Sequence, residues 1–147
     1  MSTPRGAAAT PAHMLDSLAA RRLDDVIDCF DGAPDTYVFL EGPRWTNTGG
    51  DRIHEGWRKY FEAPIRLAEW AWVEGPVVQE ADRLALVCGV IDFVFETDGR
   101  RRDMRMRMTW VLRPGPDGVW RIVHEHGSQP LADPYGTGDW APEQASA

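Results

Sequence analysis

Residues 84–128, LALVCGVIDFVFETDGRRRDMRMRMTWVLRPGPDGVWRIVHEHGS, decide the fold. Three apolar-rich stretches, residues 84–97, 101–113 and 119–128, are separated by TDGR and PGPDG, whose glycine, proline and aspartate supply tight-turn chemistry. β-Branched and aromatic residues dominate these stretches, so the segment reads as two successive hairpins of long strands. Residues 67–80 precede them as a further strand.

Toward the N-terminus the hydrophobic period lengthens. Thr10 and Pro11 read as an N-cap and first helical position, followed by Leu15, Leu18 and Ala19 at helical spacing. Leu23, Val26, Ile27 and Phe30 form a second stripe, with Asp24, Asp25 and Asp28 on its wet side and DGAP as its stop. TYVFLEG is a short strand; GGDRIHEGWRKYF returns to helical spacing through Ile53, Trp57, Tyr60 and Phe61, with His54 beside the stripe. Helices first and a meander of long strands afterwards predict an α+β domain whose helices pack on one face of a curved, mainly antiparallel sheet. The expected organisation is a disordered lead-in over residues 1–11, a domain over 12–130, and a partly disordered tail over 131–147.

Composition narrows the function classes. A net charge of −7 disfavours phosphate-backbone binding, and the arginine-rich GRRRDMRMR reads as a turn leading into a solvated strand face, so no nucleic-acid partner is expected. No apolar run approaches bilayer-spanning length, so no membrane partner is expected either. Cys29 and Cys88 are far apart in apolar contexts, as free thiols in a reducing cytoplasm would be. Arginine outnumbers lysine 15 to one, a bias that fits a GC-rich bacterial gene.

Alternation along the strands nominates the site residues. Asp92 shares a face with Leu84, Leu86, Cys88, Val90 and Val94, so a carboxylate interrupts an apolar row. Such a group needs a partner or a shifted pKa, and facing a pocket it would serve as general base or acid. Met104, Met106 and Met108 alternate with Arg105, Arg107 and Thr109; methionines inward would line a pocket with soft, adaptable surface, and arginines inward would pair Asp92 or Glu125 or bind an anionic ligand. In the last strand His124, His126 and Ser128 share one face and Glu125 the other. Two histidines on one strand, with no histidine or cysteine after them, do not complete a metal site, and Ser128 has no nucleophile elbow. Structural hydrogen bonding is the role expected of them.

Taken in order, LDDVIDCF, YVFLEG, IHEGWRKYF, TDGR and DGVWRIVHEHGSQP resemble SnoaL-like members of the NTF2-like superfamily over about residues 14–130. The closing strand also resembles the end of the calmodulin-dependent kinase association domain. The resemblance implies a cone-shaped α+β barrel with three N-terminal helices, an open hydrophobic pocket and a homodimer formed through the sheets. It covers cyclases, isomerases, hydrolases, dehydratases and noncatalytic modules, so fold alone does not choose among them. The base and donors of ketosteroid isomerases would fall at Gly42, Met14 and Thr109, which cannot serve; Glu41 lies one step from that base position. The pocket arginines of the association domain would fall near Asp92, Thr109 and Gly127, which puts Asp92 and Glu125 on the pocket side.

The expectation is therefore a cofactor-independent acid/base enzyme acting on a small hydrophobic molecule. Asp92 and Glu125 would be catalytic, and Tyr37, Trp57, Trp70, Trp72 and Met106 would contact substrate. The alternative is a noncatalytic ligand-binding or oligomerisation module. No metal or cofactor is expected in either.

Overall fold

A computed structural model describes residues 6–40 and 43–141. Glu41 and Gly42, which bear on the isomerase comparison, lie outside the described residues. The elements run α1 (Ala9–Ala19), α2 (Leu23–Asp28), β1 (Tyr37–Phe39), β2 (Asn47–Thr48), α3 (Gly50–Glu62), β3 (Ile65–Glu80), β4 (Ala85–Thr97), β5 (Arg100–Pro114) and β6 (Trp120–Ser128). One six-stranded sheet has the order β2-β1-β6-β5-β4-β3. β1 pairs parallel to β6 and every other neighbour pair is antiparallel. This is the α+β domain with a curved, mainly antiparallel sheet expected from the strand pattern, and the three helices across an unclosed sheet fit the cone that the resemblance implies.

Curvature arises where the ladder is irregular, since each bulge bends its strand. β3 carries three register shifts, between Leu67 and Glu69, Trp72 and Glu74, and Glu74 and Val77. At the second of these, Gly89 of β4 lets β3 come close: a Cβ there would stand 2.3 Å from Glu74 O and 2.8 Å from a Trp72 ring carbon. A similar approach seats α3, because a Cβ on Gly50 would fall 2.4 Å from the Gly32 carbonyl. The helix can start only against bare backbone.

The core lies between helices and sheet. Met14, Leu15 and Leu18 of α1 pack over Val87, Ile91 and Phe93 of β4 and Met106, Met108, Trp110 and Leu112 of β5, all buried. Each large apolar side chain removed from water stabilises the fold by ~1.5–3 kcal/mol, which makes this layer the main source of stability. The α2–β1 connection is tied down separately. Ile122 N donates to Cys29 O at 2.8 Å and Asp31 N to Ile122 O at 2.9 Å, while Arg113 pairs with Asp31 and Asp35.

Two expectations at the N-terminus change. The lead-in expected through residue 11 gives way to structure sooner: Ala7 is buried with its N–H on Glu80 Oε2 at 2.8 Å, and α1 begins at Ala9. Thr10 lies inside that helix rather than capping it, and its hydroxyl donates to Trp120 O at 2.8 Å. A partner distant in sequence outcompeted the local cap. Residues 131–141 are exposed and carry no helix or strand.

Candidate functional site

The inward row of β5 builds the site. Arg102, Met104, Met106, Met108 and Trp110 alternate onto the concave face, while Arg105 and Arg107 point to the other side. Exposure falls along the row: Arg102 is exposed, Met104 half-buried, Met106 and Met108 buried, and Trp110 fully buried. Phe93 and Phe95 of β4, stacked at 5.8 Å, continue the lining, and α1 and α3 close it with Met14 and Trp57 among others. The result is a cavity of about 710 Å³, within the usual ~300–1,000 Å³ of small-molecule sites. All four described methionines line it.

At the buried end stands Glu125. It is 2% exposed, directly opposite Trp110 in the β5–β6 ladder, and accepts a hydrogen bond from the Trp110 indole Nε1 at 2.5 Å. A buried carboxyl needs such a donor, because a polar group taken out of water without a hydrogen bond is costly. Glu125, Leu40, Trp57 and Tyr60 also border a smaller cavity of about 130 Å³, which Asn47 and Arg52 reach from β2 and α3. Glu125 thus lies in a wall shared by two cavities.

The other nominated residues divide. Trp57 and Met106 line the large cavity. Asp92 does not: it sits half-exposed on the opposite face of β4, where Arg105 of β5 grips it with two hydrogen bonds at 2.7 and 2.8 Å. The guanidinium holds its carboxyl below the ordinary carboxylate range, as an ion-paired anion. Asp92 does share its face with Leu86, Cys88, Val90 and Val94, but both faces of β4 are apolar and the inward row is Ala85, Val87, Ile91 and Phe93.

Tyr37 is likewise on the outer side, packed edge-on to Phe39 and near His124. Trp70 and Trp72 are half-buried but line neither cavity. Both lie on the helix-covered face, level with Phe93 and Ile91: Trp70 Nε1 donates to Asp16 Oδ1 of α1 at 2.9 Å, and Trp72 packs edge-on against Trp110. Their size serves the joint between β3, α1 and the Trp110 ring.

His124 and His126 face outward, both edge-on to Phe39, and His124 Nδ1 lies 2.7 Å from Tyr37 O. These contacts join β6 to β1. Among the described residues no three His, Cys, Asp or Glu side chains cluster to hold a metal ion. Trp110, Tyr60 and Arg102 were missed as site residues. Extending the alternation that singled out the methionines would have found Trp110 and Arg102 on the same row; Tyr60 had only its place in the α3 stripe.

A SnoaL-like domain family model matches residues 8–132, and the chain belongs to that family. Many solved structures share its fold, three of them as follows. An NTF2-like superfamily protein from Salmonella enterica serovar Typhimurium aligns over 89% of this chain and 93% of its own at 20% identity, with a TM-score of 0.74. A ketosteroid isomerase-like protein from Erwinia carotovora atroseptica aligns over 82% and 91% at 18% identity and TM-score 0.68. A protein of Xanthomonas campestris described as a calcium/calmodulin dependent protein kinase II association domain aligns over 82% of each chain at 21% identity and TM-score 0.66. No curated protein sequence matches the chain significantly.

Proposed function

We propose that the cavity binds a small hydrophobic molecule and that Glu125 moves a proton on it, without a cofactor. The observation that carries the reading is the burial of one carboxyl, held by Trp110, in the wall of an otherwise mostly apolar cavity. A proton-transfer group needs reach, a fixed orientation and a pKa tuned by its surroundings. With Asp92 on the far face of the sheet, Glu125 acts alone, taking a proton from one position and returning it to another or to the same carbon. Trp110 orients it, and Trp57 and Met106 shape the substrate space.

The noncatalytic reading survives on a specific observation: Glu125 is the only carboxylate lining the large cavity among the described residues. Deuterium exchange separates the two. In D₂O the protein should catalyse incorporation of deuterium beside the carbonyl of a bound hydrophobic ketone such as 2-decanone, followed by NMR, and Glu125→Gln should abolish it. Binding of the ketone with no exchange above the buffer rate would establish a binding module instead.

The outer sheet face supports a homodimer as part of this proposal. Leu86, Cys88, Val90 and Val94 of β4 are only half-buried there, and Val73 and Val77 of β3 are exposed. An apolar sheet face of this kind is a surface for association. Bacterial origin and a cytoplasmic location remain part of the same reading, supported by the arginine bias and the two free thiols. No helix is long and apolar enough to cross a membrane.

A further inference from the structure

The two charged residues that line the large cavity occupy opposite ends of it. Glu125 is buried at the closed end, and Arg102 is exposed at the other, beside Thr97 and Ile65. Eight residues of β5 separate Arg102 from Trp110, the partner of Glu125, which is ~26 Å of strand at ~3.3 Å per residue. Between them the inward row holds only Met104, Met106 and Met108.

The fold leaves Arg102 uncommitted; among the described residues Arg100 and Arg107 of β5 are unpaired as well, but neither of them lines the cavity. Arg101 pairs with Asp103, Arg105 with Asp92, and Arg66 with Glu96, but no ion pair or hydrogen bond among the described residues engages the Arg102 guanidinium. It has no structural carboxylate to satisfy, and it borders the cavity. On a chain of net charge −7, the rim carries a local positive charge.

Resting on the reading of this cavity as a ligand site, we infer that its ligand is an elongated hydrophobic carboxylate. The carboxylate pairs with Arg102 at the mouth, and the apolar body runs inward over the three methionines toward Glu125. A guanidinium offers paired N–H donors that match a carboxylate, and flexible thioethers adapt to a chain of varied shape. The opposite orientation is disfavoured because it would place the ligand anion beside the buried Glu125 carboxyl and leave the apolar end in water. The geometry therefore also selects which end of the molecule meets Glu125: the end remote from the carboxylate.

Calorimetric titration with three probes that share one alkyl body tests this: dodecanoate, 1-dodecanol and dodecyltrimethylammonium. The wild-type protein should bind dodecanoate most tightly and the ammonium least. Arg102→Ala should weaken dodecanoate roughly three- to tenfold, leave 1-dodecanol within twofold, and keep the circular dichroism spectrum and Tm. Arg102→Glu should reverse the order of the two ions. If Arg102→Ala leaves dodecanoate within twofold, or the ammonium binds wild type as well as dodecanoate does, the carboxylate inference falls while 1-dodecanol binding upholds the cavity. If none of the three binds wild type, the cavity reading falls with it.

Discussion

Trp110 and Glu125 stand directly opposite each other across the β5–β6 ladder, and the indole Nε1 of one donates to Oε2 of the other at 2.5 Å, both side chains being buried. The pair fixes a buried carboxyl in the wall of a mostly apolar cavity. Removing the donor while keeping an aromatic ring isolates the bond. Trp110→Phe should lower stability by about 1–3 kcal/mol, measured by urea unfolding, because a buried acceptor loses the indole donor. It should also slow deuterium exchange at a bound ketone, since Glu125 is no longer held in place. An unchanged midpoint together with an unchanged exchange rate would deny the pair its role.

Asp92 provides the complementary control. It is bound to Arg105 on the outer face, away from the cavity. Asp92→Asn should leave both ligand affinity and exchange at wild-type levels, whereas Glu125→Gln should remove exchange. A loss of binding or exchange in Asp92→Asn would restore it as a site residue.

Gly89 tests the route by which β3 reaches the sheet. Gly89→Ala should destabilise the protein by ~1–3 kcal/mol, because the new Cβ meets the Glu74 carbonyl and the Trp72 ring at distances no real contact allows. Thermal unfolding reads the effect directly. Retained Tm would mean that the Trp72 packing can shift without cost.

Alkaline stability should report on Cys29. Burial first, and then the neighbouring Asp28 and Asp25, push its thiol up to about 12 from an ordinary value of 9.0. The unfolded chain therefore releases that proton at lower pH than the native one. The contribution to stability is complete below pH 9 and is lost as pH rises toward 12. Cys29→Ala should flatten that part of the stability profile relative to wild type in denaturant titrations. Equal alkaline slopes in the two proteins would contradict the burial effect.

Acid stability runs with the opposite sign at Asp117. Its hydrogen bonds from Arg121 and from the Val119 N–H lower its carboxyl to about 2 from 3.8. The stabilisation is present above pH 4 and disappears as pH falls toward 2. Asp117→Asn should thus lower Tm at neutral pH and approach the wild-type Tm near pH 2, followed by scanning calorimetry.

The strand and helix pattern was legible because long period-two segments and 3.6-residue stripes are local signals. Residues 84–97, 101–113 and 119–128 are strands within one residue or so of the expected bounds, and the methionine row proved to face inward. Asp92 was not legible. Both rows of β4 are apolar, so alternation identifies two faces without saying which one the helices cover. The same ambiguity covers Tyr37, which lies on the outer side; Trp70 and Trp72 share the helix-covered face but seat α1 and the Trp110 ring, and aromatic bulk alone does not tell such a seat from a pocket wall.

The sequence by itself determined the class of fold, the membership signalled by its closing strand, and the alternation that separates Glu125 from His124 and His126. Those properties are written in neighbouring residues and need no distant partner. Only the tertiary structure decided which face of the sheet became the interior, that Trp110 would satisfy Glu125, and that Arg105 would claim Asp92 while Arg102 was left at the cavity mouth. Each of those outcomes depends on cross-strand register and on where α1 and α3 come to rest. Burial and charge pairing are set by the whole chain, and no single stretch of it encodes them.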